Sequence, residues 1–264
     1  MKNNQEKFFE DNGYSKVTSF LSKKNKAQIF EFFKSCTKKY IKFDKFKDFE
    51  NLELHKKLIQ LRKKDYKKFG EFYDFLNLNS SLRSIFYQDK FIKKFAKLLK
   101  TDRNNIFING FMFRMDAPND NRNILNWHQD SLYYQMTYPK QNAGVCWLAI
   151  TKNSKENGTL IFIPKSHKKL IETKSNKKNS HTSEQFKINI SSKEKKIAKN
   201  FNSNFGDGGF FHLNIKHKSG KNISKKIRMV IGCRFHDMKK KFNVGKEIYY
   251  FNKTKKPLFF KKKN

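Results

Sequence analysis

His128 and Asp130, separated by one residue, are the side chains in this chain of 264 residues whose types and spacing best suit metal chemistry. In an extended segment, side chains at positions i and i+2 point to the same side, so both could hold one ion while Gln129 points elsewhere. Two imidazoles and one carboxylate form the facial ligand set that binds non-haem Fe(II) and leaves coordination positions open for O2 chemistry. A His-x-Asp pair alone is weak evidence, so the prediction of a metal site depends on a second histidine.

Three later histidines, at positions 212, 217 and 236, compete for the place of the third ligand. His217 is favoured because it precedes a turn, and Arg228 opens the next predicted strand. In an antiparallel hairpin this spacing would place the guanidinium about one small-molecule length from the metal, where its planar fork could clamp a carboxylate. No arginine follows His236. His212 lies five positions before His217, an odd offset that sends it to the opposite face of an unbulged strand, so we expect it to be a packed histidine.

The first hundred residues predict mainly helices that would support such a site. Apolar residues recur there at roughly helical spacing, and their aromatic stripes are expected to face the core. Asn12-Gly13 breaks the first helical segment, and Ser22 is the predicted N-cap of the next. Two further amphipathic segments are predicted at residues 52–75 and 82–99.

From residue 106 onward the pattern changes to short apolar and β-branched runs separated by turns. Pro118-Asn119-Asp120 and Asn157-Gly158 are the clearest turn signals. Such a series favours an all-β sandwich or barrel behind the helical part. A Lys-, Ser- and Asn-rich stretch at 168–184 interrupts it and is a candidate lid. The predicted strands lie at 106–113, 143–151, 159–163, 205–217, 227–235 and 247–251.

The charge balance is extreme, with 59 Lys and Arg against 23 Asp and Glu, a formal net charge of +36. Such a field would attract anionic partners, including nucleic acid, anionic lipid or a phosphorylated substrate. Only seven of the basic residues are arginine, and lysine is spread along the whole chain without a confined stripe. That distribution is also what an AT-rich genome would write at tolerant surface positions. Both explanations stay open.

Cysteine usage and hydropathy indicate a cytoplasmic protein without a membrane span. Cys36, Cys146 and Cys233 are scattered and lack metal-binding spacing, as expected of reduced thiols that pack as small apolar groups. No stretch approaches the ~18 apolar residues of a transmembrane helix. The first seven residues are not followed by the long apolar stretch of a signal peptide, so no secretory signal is expected.

An ordered set of motifs resembles the phytanoyl-CoA dioxygenase family of Fe(II)/2-oxoglutarate-dependent oxygenases. It begins with a family-like N-terminal opening, Phe9-Glu10-Asp11-Asn12-Gly13-Tyr14, and it is far more specific than any single piece. The remaining pieces, in order, are Trp127-His128-Gln129-Asp130, Val145-Cys146-Trp147-Leu148-Ala149, Glu156-Asn157-Gly158-Thr159-Leu160, Ile163-Pro164-Lys165-Ser166-His167, Gly206-Asp207, and His217-Lys218-Ser219-Gly220-Lys221-Asn222 leading to Arg228.

The resemblance implies a mainly β fold with helices (α+β), in which a double-stranded β-helix (a cupin-like jelly roll) is covered by an N-terminal helical layer. We expect one domain over residues 1–264, with helical support at 1–104, the jelly-roll core at 105–251 and a basic tail at 252–264. Lys165 and Lys218 stand where the family commonly has glycine. A left-handed backbone at either position would cost about 1 kcal/mol.

The resemblance also implies the roles of individual residues. His128, Asp130 and His217 would bind Fe(2+), which would act with 2-oxoglutarate as cosubstrate and with O2. Arg228 would pair with the distal carboxylate of 2-oxoglutarate, and Ser219 would hydrogen-bond near it. Three further residues match positions that line the cosubstrate pocket: Gln129, Trp147 and Met112.

The expected reaction is hydroxylation of a C–H bond of a small organic substrate, with release of succinate and CO2. Related halogenating enzymes replace the carboxylate ligand with a small residue, so the presence of Asp130 favours hydroxylation. The basic surface favours an anionic substrate, and we expect a monomer or small homo-oligomer. Three alternatives remain: a metal-binding cupin-like protein with other chemistry, a non-catalytic binding module, and a nucleic-acid-binding protein that would explain the charge.

Overall fold

The computed structural model describes residues 4–120, 124–134, 142–171, 173 and 186–239. Seven α-helices and eight β-strands lie in these ranges, with six of the helices before the first long strand. In chain order the elements are α1 (Asn4–Asn12), β1 (Tyr14–Val17), α2 (Lys23–Ile41), α3 (Leu52–Lys64), α4 (Tyr66–Leu78), α5 (Ser80–Ser84), α6 (Asp89–Leu99), β2 (Ile106–Asp116), β3 (Ala143–Ala149), β4 (Ile161–Phe162), α7 (Ser192–Ile197), β5 (Lys199–Asn200), β6 (Gly208–His212), β7 (His217–Lys218) and β8 (Arg228–Asp237).

The strands form two antiparallel sheets that face each other. The larger sheet has the order β1-β6-β3-β8-β2, and the smaller sheet has the order β5-β4-β7. This arrangement confirms the predicted α+β class with antiparallel sheets of the jelly-roll type and helices contributed by the N-terminal part.

Alternation along the strands separates two apolar cores. On β3, Cys146 and Leu148 face the helices, whereas Val145 and Trp147 face the smaller sheet. The helix-side core is rich in phenylalanine; Phe95 and Phe235, for example, stack with their ring centroids 4.2 Å apart. The apolar core between the two sheets has fewer residues than the helix-side core, so space for a cavity is left on the inner face of the larger sheet.

The predicted N-cap of α2 and the predicted end of the first helical segment are confirmed, but several interruptions of the later helices were not predicted. The Ser22 hydroxyl accepts a hydrogen bond from the Asn25 amide and caps α2, as predicted. Gly13, with φ +75°, ends the first helical segment, also as predicted. The segment predicted at 52–75 is two helices, because the Asp65 side chain accepts from the Lys68 amide and starts a new helix. The segment predicted at 82–99 is likewise broken, into α5, a short 3-10 turn and α6.

Within the described residues the predicted β runs occur in the predicted order, but their lengths differ: β2 extends three residues beyond the predicted 106–113, and other runs are shorter than predicted. The run at 159–163 contains only the two-residue β4, and the run at 205–217 contains two strands separated by a turn. The strands β1 and β5 and the helix α7 were not predicted. The predicted strand at 247–251, the tail at 252–264 and most of the candidate lid at 168–184 lie outside the described residues.

The predicted hairpin between His217 and Arg228 is wrong. His217 begins β7 in the smaller sheet, and Arg228 begins β8 in the larger one. The connecting segment crosses between the sheets because β7 pairs with β4, while β8 pairs with β2 and β3.

Three buried cysteines carry free thiols, as predicted. Cys146 and Cys233 face each other across β3 and β8. No helix among the described residues is long and apolar enough to cross a bilayer.

Candidate metal and cosubstrate site

One cluster of side chains that could bind a metal lies between the two sheets and consists of His128, Asp130 and His217. One ligand atom from each lies within 4.8 Å of the others, an arrangement that could hold a metal ion. The Oδ1 atom of Asp130 lies 3.4 Å from His128 Nε2 and 3.5 Å from His217 Nε2. All three side chains are at least 88% shielded from solvent. The two histidines come together because their backbones form an isolated antiparallel bridge, with hydrogen bonds of 2.9 and 3.0 Å.

Backbone carbonyls orient both imidazoles. His128 Nδ1 lies 2.6 Å from the Asn126 carbonyl oxygen, and His217 Nδ1 lies 3.0 Å from that of Ile215. A carbonyl oxygen can only accept, so each Nδ1 carries the proton and each Nε2 keeps its lone pair for a metal. Burial, and then the nearby His128, lower the pKa of His217 to about 4, which favours the neutral ligand form.

Arg234 of β8 contacts the Asp130 carboxylate on the side away from the histidines. Its Nη2 and Nε atoms lie 3.2 and 3.4 Å from Asp130 Oδ2, while its Nη1 donates to the Gly110 carbonyl. The guanidinium also stacks on the Tyr134 ring, 4.3 Å from its centroid. Burial alone would raise the pKa of Asp130, but Arg234 and the two histidines outweigh it and hold that pKa well below its usual range. Asp130 is therefore ionised, with Oδ1 turned toward the histidines.

A cavity of about 260 Å³ opens beside these three residues. Its lining residues come from β2, β3, β6, β7 and β8 and from segments between the strands. The lining residues used below are Met112, Arg114, Trp147, His212, Ser219 and Arg234.

Arg228 lies at the far end of this region, buried behind Asp116. Only 1% of its side chain is exposed, and its Nη2 donates to Asp116 Oδ2. The Nε and Nη1 atoms of Arg228 have no hydrogen-bond partner among the described residues. Burial lowers the pKa of Arg228 to about 10, which still leaves it charged at neutral pH. A buried guanidinium with unused donors fits an incoming carboxylate.

Of the four residues predicted to lie near the cosubstrate besides Arg228, three line the cavity and Gln129 does not; the three are Met112, Trp147 and Ser219. The Gln129 side chain is fully buried, and its Nε2 donates to the carbonyls of Lys169 and Asn214. Its Oε1 accepts from the Ile171 amide. Gln129 thus ties together the segments that flank the metal ligands.

Two further histidines lie near the site. His212 lines the cavity, and its Nδ1 accepts from the Asn214 amide, 3.0 Å away. The sequence prediction that His212 faces away from the site assumed one continuous strand from His212 to His217. A turn separates the two residues, so that prediction does not apply. His167 contacts the Glu10 carbonyl through Nε2 at 2.8 Å and so connects to the N-terminal helix. His181 lies outside the described residues.

Arg114 is a site residue that sequence reasoning missed. Its position on β2, two residues before Asp116, gives it the same inward face as Met112. Alternation along β2 could have revealed it, since Met112 was already assigned to the pocket.

Solved structures with the same fold are oxygenases and related enzymes. EctD from S. alaskensis, solved with 2-oxoglutarate and 5-hydroxyectoine, aligns with TM-score 0.62 and 15% identity over 95% of this chain and 83% of that one. EvdO2 from Micromonospora carbonacea var. aurantiaca, solved with 2-oxoglutarate, aligns with TM-score 0.60 and 11% identity over 90% and 91%. SnoN, an alpha-ketoglutarate-dependent epimerase from nogalamycin biosynthesis, aligns with TM-score 0.56 and 12% identity over 89% and 82%. No curated protein matches the chain.

The jelly-roll fold and the His-Asp-His cluster are together typical of non-haem Fe(II) oxygenases. The profile of one family in that class, described as phytanoyl-CoA dioxygenase (PhyH), matches residues 9–230, and the chain belongs to this family. Fe(II), 2-oxoglutarate and O2 are accordingly its cofactor and cosubstrates. The side chains present fit them, since two imidazole lone pairs and a carboxylate converge on one place, and Arg228 is a separate buried arginine with unused donors.

Proposed function

We propose that the protein hydroxylates a C–H bond of a small anionic organic substrate, with release of succinate and CO2. The observation that carries this proposal is the convergence of His128, Asp130 and His217 on one point beside a cavity. We further propose that these three residues are the iron ligands, and that the helical N-terminal part and the β core act as one catalytic unit.

The bound iron, with 2-oxoglutarate and O2, supplies the oxidising power, while the protein orients its partners and excludes water. His128 and His217 offer Nε2 because backbone carbonyls hold their Nδ1 protons. Asp130 offers Oδ1 because Arg234 engages Oδ2. Three ligands on one face leave the opposite side open for the cosubstrate and O2.

Arg228 would bind the distal carboxylate of 2-oxoglutarate in this proposal, with Ser219 beside it. The unused donors of Arg228 support this role. Trp147 and Met112 would form apolar walls along the cosubstrate. The side chain of Gln129 is committed to three backbone groups, which favours a role in holding the ligand segments rather than contact with the cosubstrate.

Hydroxylation is proposed over other outcomes because Asp130 keeps the carboxylate in the ligand set. The likeness to an epimerase means that the fold by itself does not select the reaction. An anionic substrate is proposed because the chain carries a formal net charge of +36, which would attract anions. The cavity volume favours a small substrate.

The decisive experiment uses protein prepared without oxygen and loaded with Fe(II) and 2-oxoglutarate. We expect a weak visible absorption band from iron chelated by the 2-oxo acid, and slow succinate formation after air is admitted. Asp130→Ala should abolish both signals, because the metal loses its anionic ligand. Arg228→Ala should mainly raise the 2-oxoglutarate concentration required, by about 10-fold or more.

Arg103→Gln is a suitable control, because it removes an exposed arginine that pairs with Asp89 on the surface. It should leave both signals at the wild-type level. Unchanged cosubstrate affinity in Arg228→Ala would refute the assignment of Arg228, and wild-type protein without the absorption band would refute the proposed function. Candidate anionic compounds would then be screened for faster succinate formation.

A further inference from the structure

We infer that Arg114 is a second anchor for the distal carboxylate of 2-oxoglutarate, so that this chain grips its cosubstrate with two arginines. The inference rests on the proposed function and adds a residue that the family resemblance did not supply. Arg114 lines the cavity that contains the metal ligands, whereas Arg228 lies behind it.

The contacts of Arg114 place it among the residues proposed for the cosubstrate. Its Nη2 donates to Ser219 Oγ over 3.1 Å, and its Nε lies 2.9 Å from both carboxylate oxygens of Asp116. The guanidiniums of Arg114 and Arg228 lie 6.0 and 5.8 Å from the Trp147 ring centroid. One aromatic side chain and one carboxylate thus hold both arginines together.

Among the residues that the structure describes, Arg114 and Arg228 place two positive charges beside one negative charge, that of Asp116, which is only 8% exposed. A buried positive charge is costly unless an anion accompanies it. One carboxylate from a ligand would make the cluster neutral and would also satisfy the unused donors of Arg228.

Strand register places Arg114 closer to the metal ligands than Arg228. Along β8, Arg228 is opposite Asp116, and Val230, two residues further toward Arg234, is opposite Arg114. Arg234 contacts Asp130, so this direction leads to the metal ligands. Two residues of strand amount to about 7 Å. A dicarboxylate chelating the metal would therefore meet Arg114 before it reaches Arg228.

The test measures 2-oxoglutarate binding by calorimetry to the full chain loaded with Mn(II), which binds the cosubstrate without turnover. We expect Arg114→Gln to weaken 2-oxoglutarate binding by about 10- to 100-fold, the loss of a charge-assisted hydrogen bond. Mn(II) affinity in the absence of 2-oxoglutarate should stay within about twofold, because the contacts of Arg114 described above are to Asp116 and Ser219 rather than to the metal ligands. A purely structural role would lower that affinity.

Two variants sharpen the result. Arg114→Lys keeps the charge and loses the planar fork, so it should weaken binding by a smaller factor, about 3- to 10-fold. Arg62→Gln removes an arginine that pairs with Asp120 away from the cavity, and it should bind 2-oxoglutarate like the wild type.

If Arg114→Gln binds 2-oxoglutarate with an affinity within about twofold of the wild type, the inference is wrong and the proposed function still stands. If Arg114→Gln does not fold, an unchanged affinity in Arg114→Lys overturns it equally. Wild-type Mn(II) protein that does not bind 2-oxoglutarate would overturn both the inference and the proposed function.

Discussion

Replacing Arg234 by glutamine should tighten metal binding while it destabilises the metal-free protein. Arg234 is the counter-ion of Asp130, and the side chains of both are almost completely buried. A pair of unit charges 3.2 Å apart attracts by about 5 kcal/mol at an effective dielectric constant of about 20, and desolvation offsets part of this. Loss of the arginine leaves an unpaired buried carboxylate, which should lower the free energy of unfolding by about 3 kcal/mol.

In Arg234→Gln a bound divalent cation, rather than Arg234, neutralises the charge of Asp130. In the wild type the metal enters a site where Arg234 already balances the carboxylate, whereas in Arg234→Gln it enters a site with net negative charge. We therefore expect Mn(II) affinity to rise by about tenfold and the metal-induced shift in melting temperature to be larger than in the wild type. Arg234→Lys keeps the charge and serves as the matched control.

The measurements are denaturant unfolding in the presence of a chelator and calorimetric titration with Mn(II). A variant that binds Mn(II) more weakly than the wild type would refute the charge argument, because it would mean that Arg234 acts mainly by orienting the carboxylate. Equal stability of the metal-free variant and the wild type would refute the assignment of the pair as a buried ion pair.

Two further predictions concern backbone strain and buried histidine. Lys165 has φ +65°, so Lys165→Gly should raise the free energy of unfolding by about 0.5 to 1 kcal/mol. Lys218 lies in β7, where Lys218→Gly should lower the free energy of unfolding by a similar amount. Denaturant unfolding of both variants tests this prediction, and changes of the same sign would contradict it. Burial, partly opposed by Glu50, lowers the pKa of His55 to about 4, below its unfolded value of about 6.5, so its contribution to stability is complete above pH 6.5 and is lost as the pH falls. Unfolding free energy should decline between about pH 6.5 and pH 4, and His55→Asn should flatten that slope; an unchanged slope would exclude His55 as a source.

Two of the three proposed metal ligands could be recognised in the sequence because their geometry is local. His128 and Asp130 are two positions apart in an extended segment, and this spacing alone puts both on one face. His217 was favoured because a turn and Arg228 come after it in the chain, and the structure does bring it to the pair. The physical reason is the isolated backbone bridge between His128 and His217, which a single sequence does not reveal.

The surroundings of the ligands were harder to predict because they depend on which strands pair. The hairpin assumed between His217 and Arg228 was wrong, since the two residues belong to different sheets. In the sequence Arg234 stands out only as the last arginine in the chain, although register carries it to Asp130. Gly110 completes that contact through its carbonyl, where β2 departs from regular pairing with β8. Such irregularities are set by tertiary packing rather than by local pattern.

The use of arginine separates the chemistry of the site from the charge of the surface. The chain has 59 basic residues, of which seven are arginine, so lysine is the default wherever a simple positive charge suffices. Three of these seven, Arg114, Arg228 and Arg234, lie in or beside one cavity, and each contacts a carboxylate. A guanidinium can hold a carboxylate in a fixed planar geometry, which an ammonium cannot, and those of Arg114 and Arg228 also lie 6.0 and 5.8 Å from the Trp147 ring centroid. In a chain so biased toward lysine, these positions mark where geometry as well as charge is required. The formal net charge of +36 comes mainly from lysine, so these three arginines are distinct from the bulk of the basic residues.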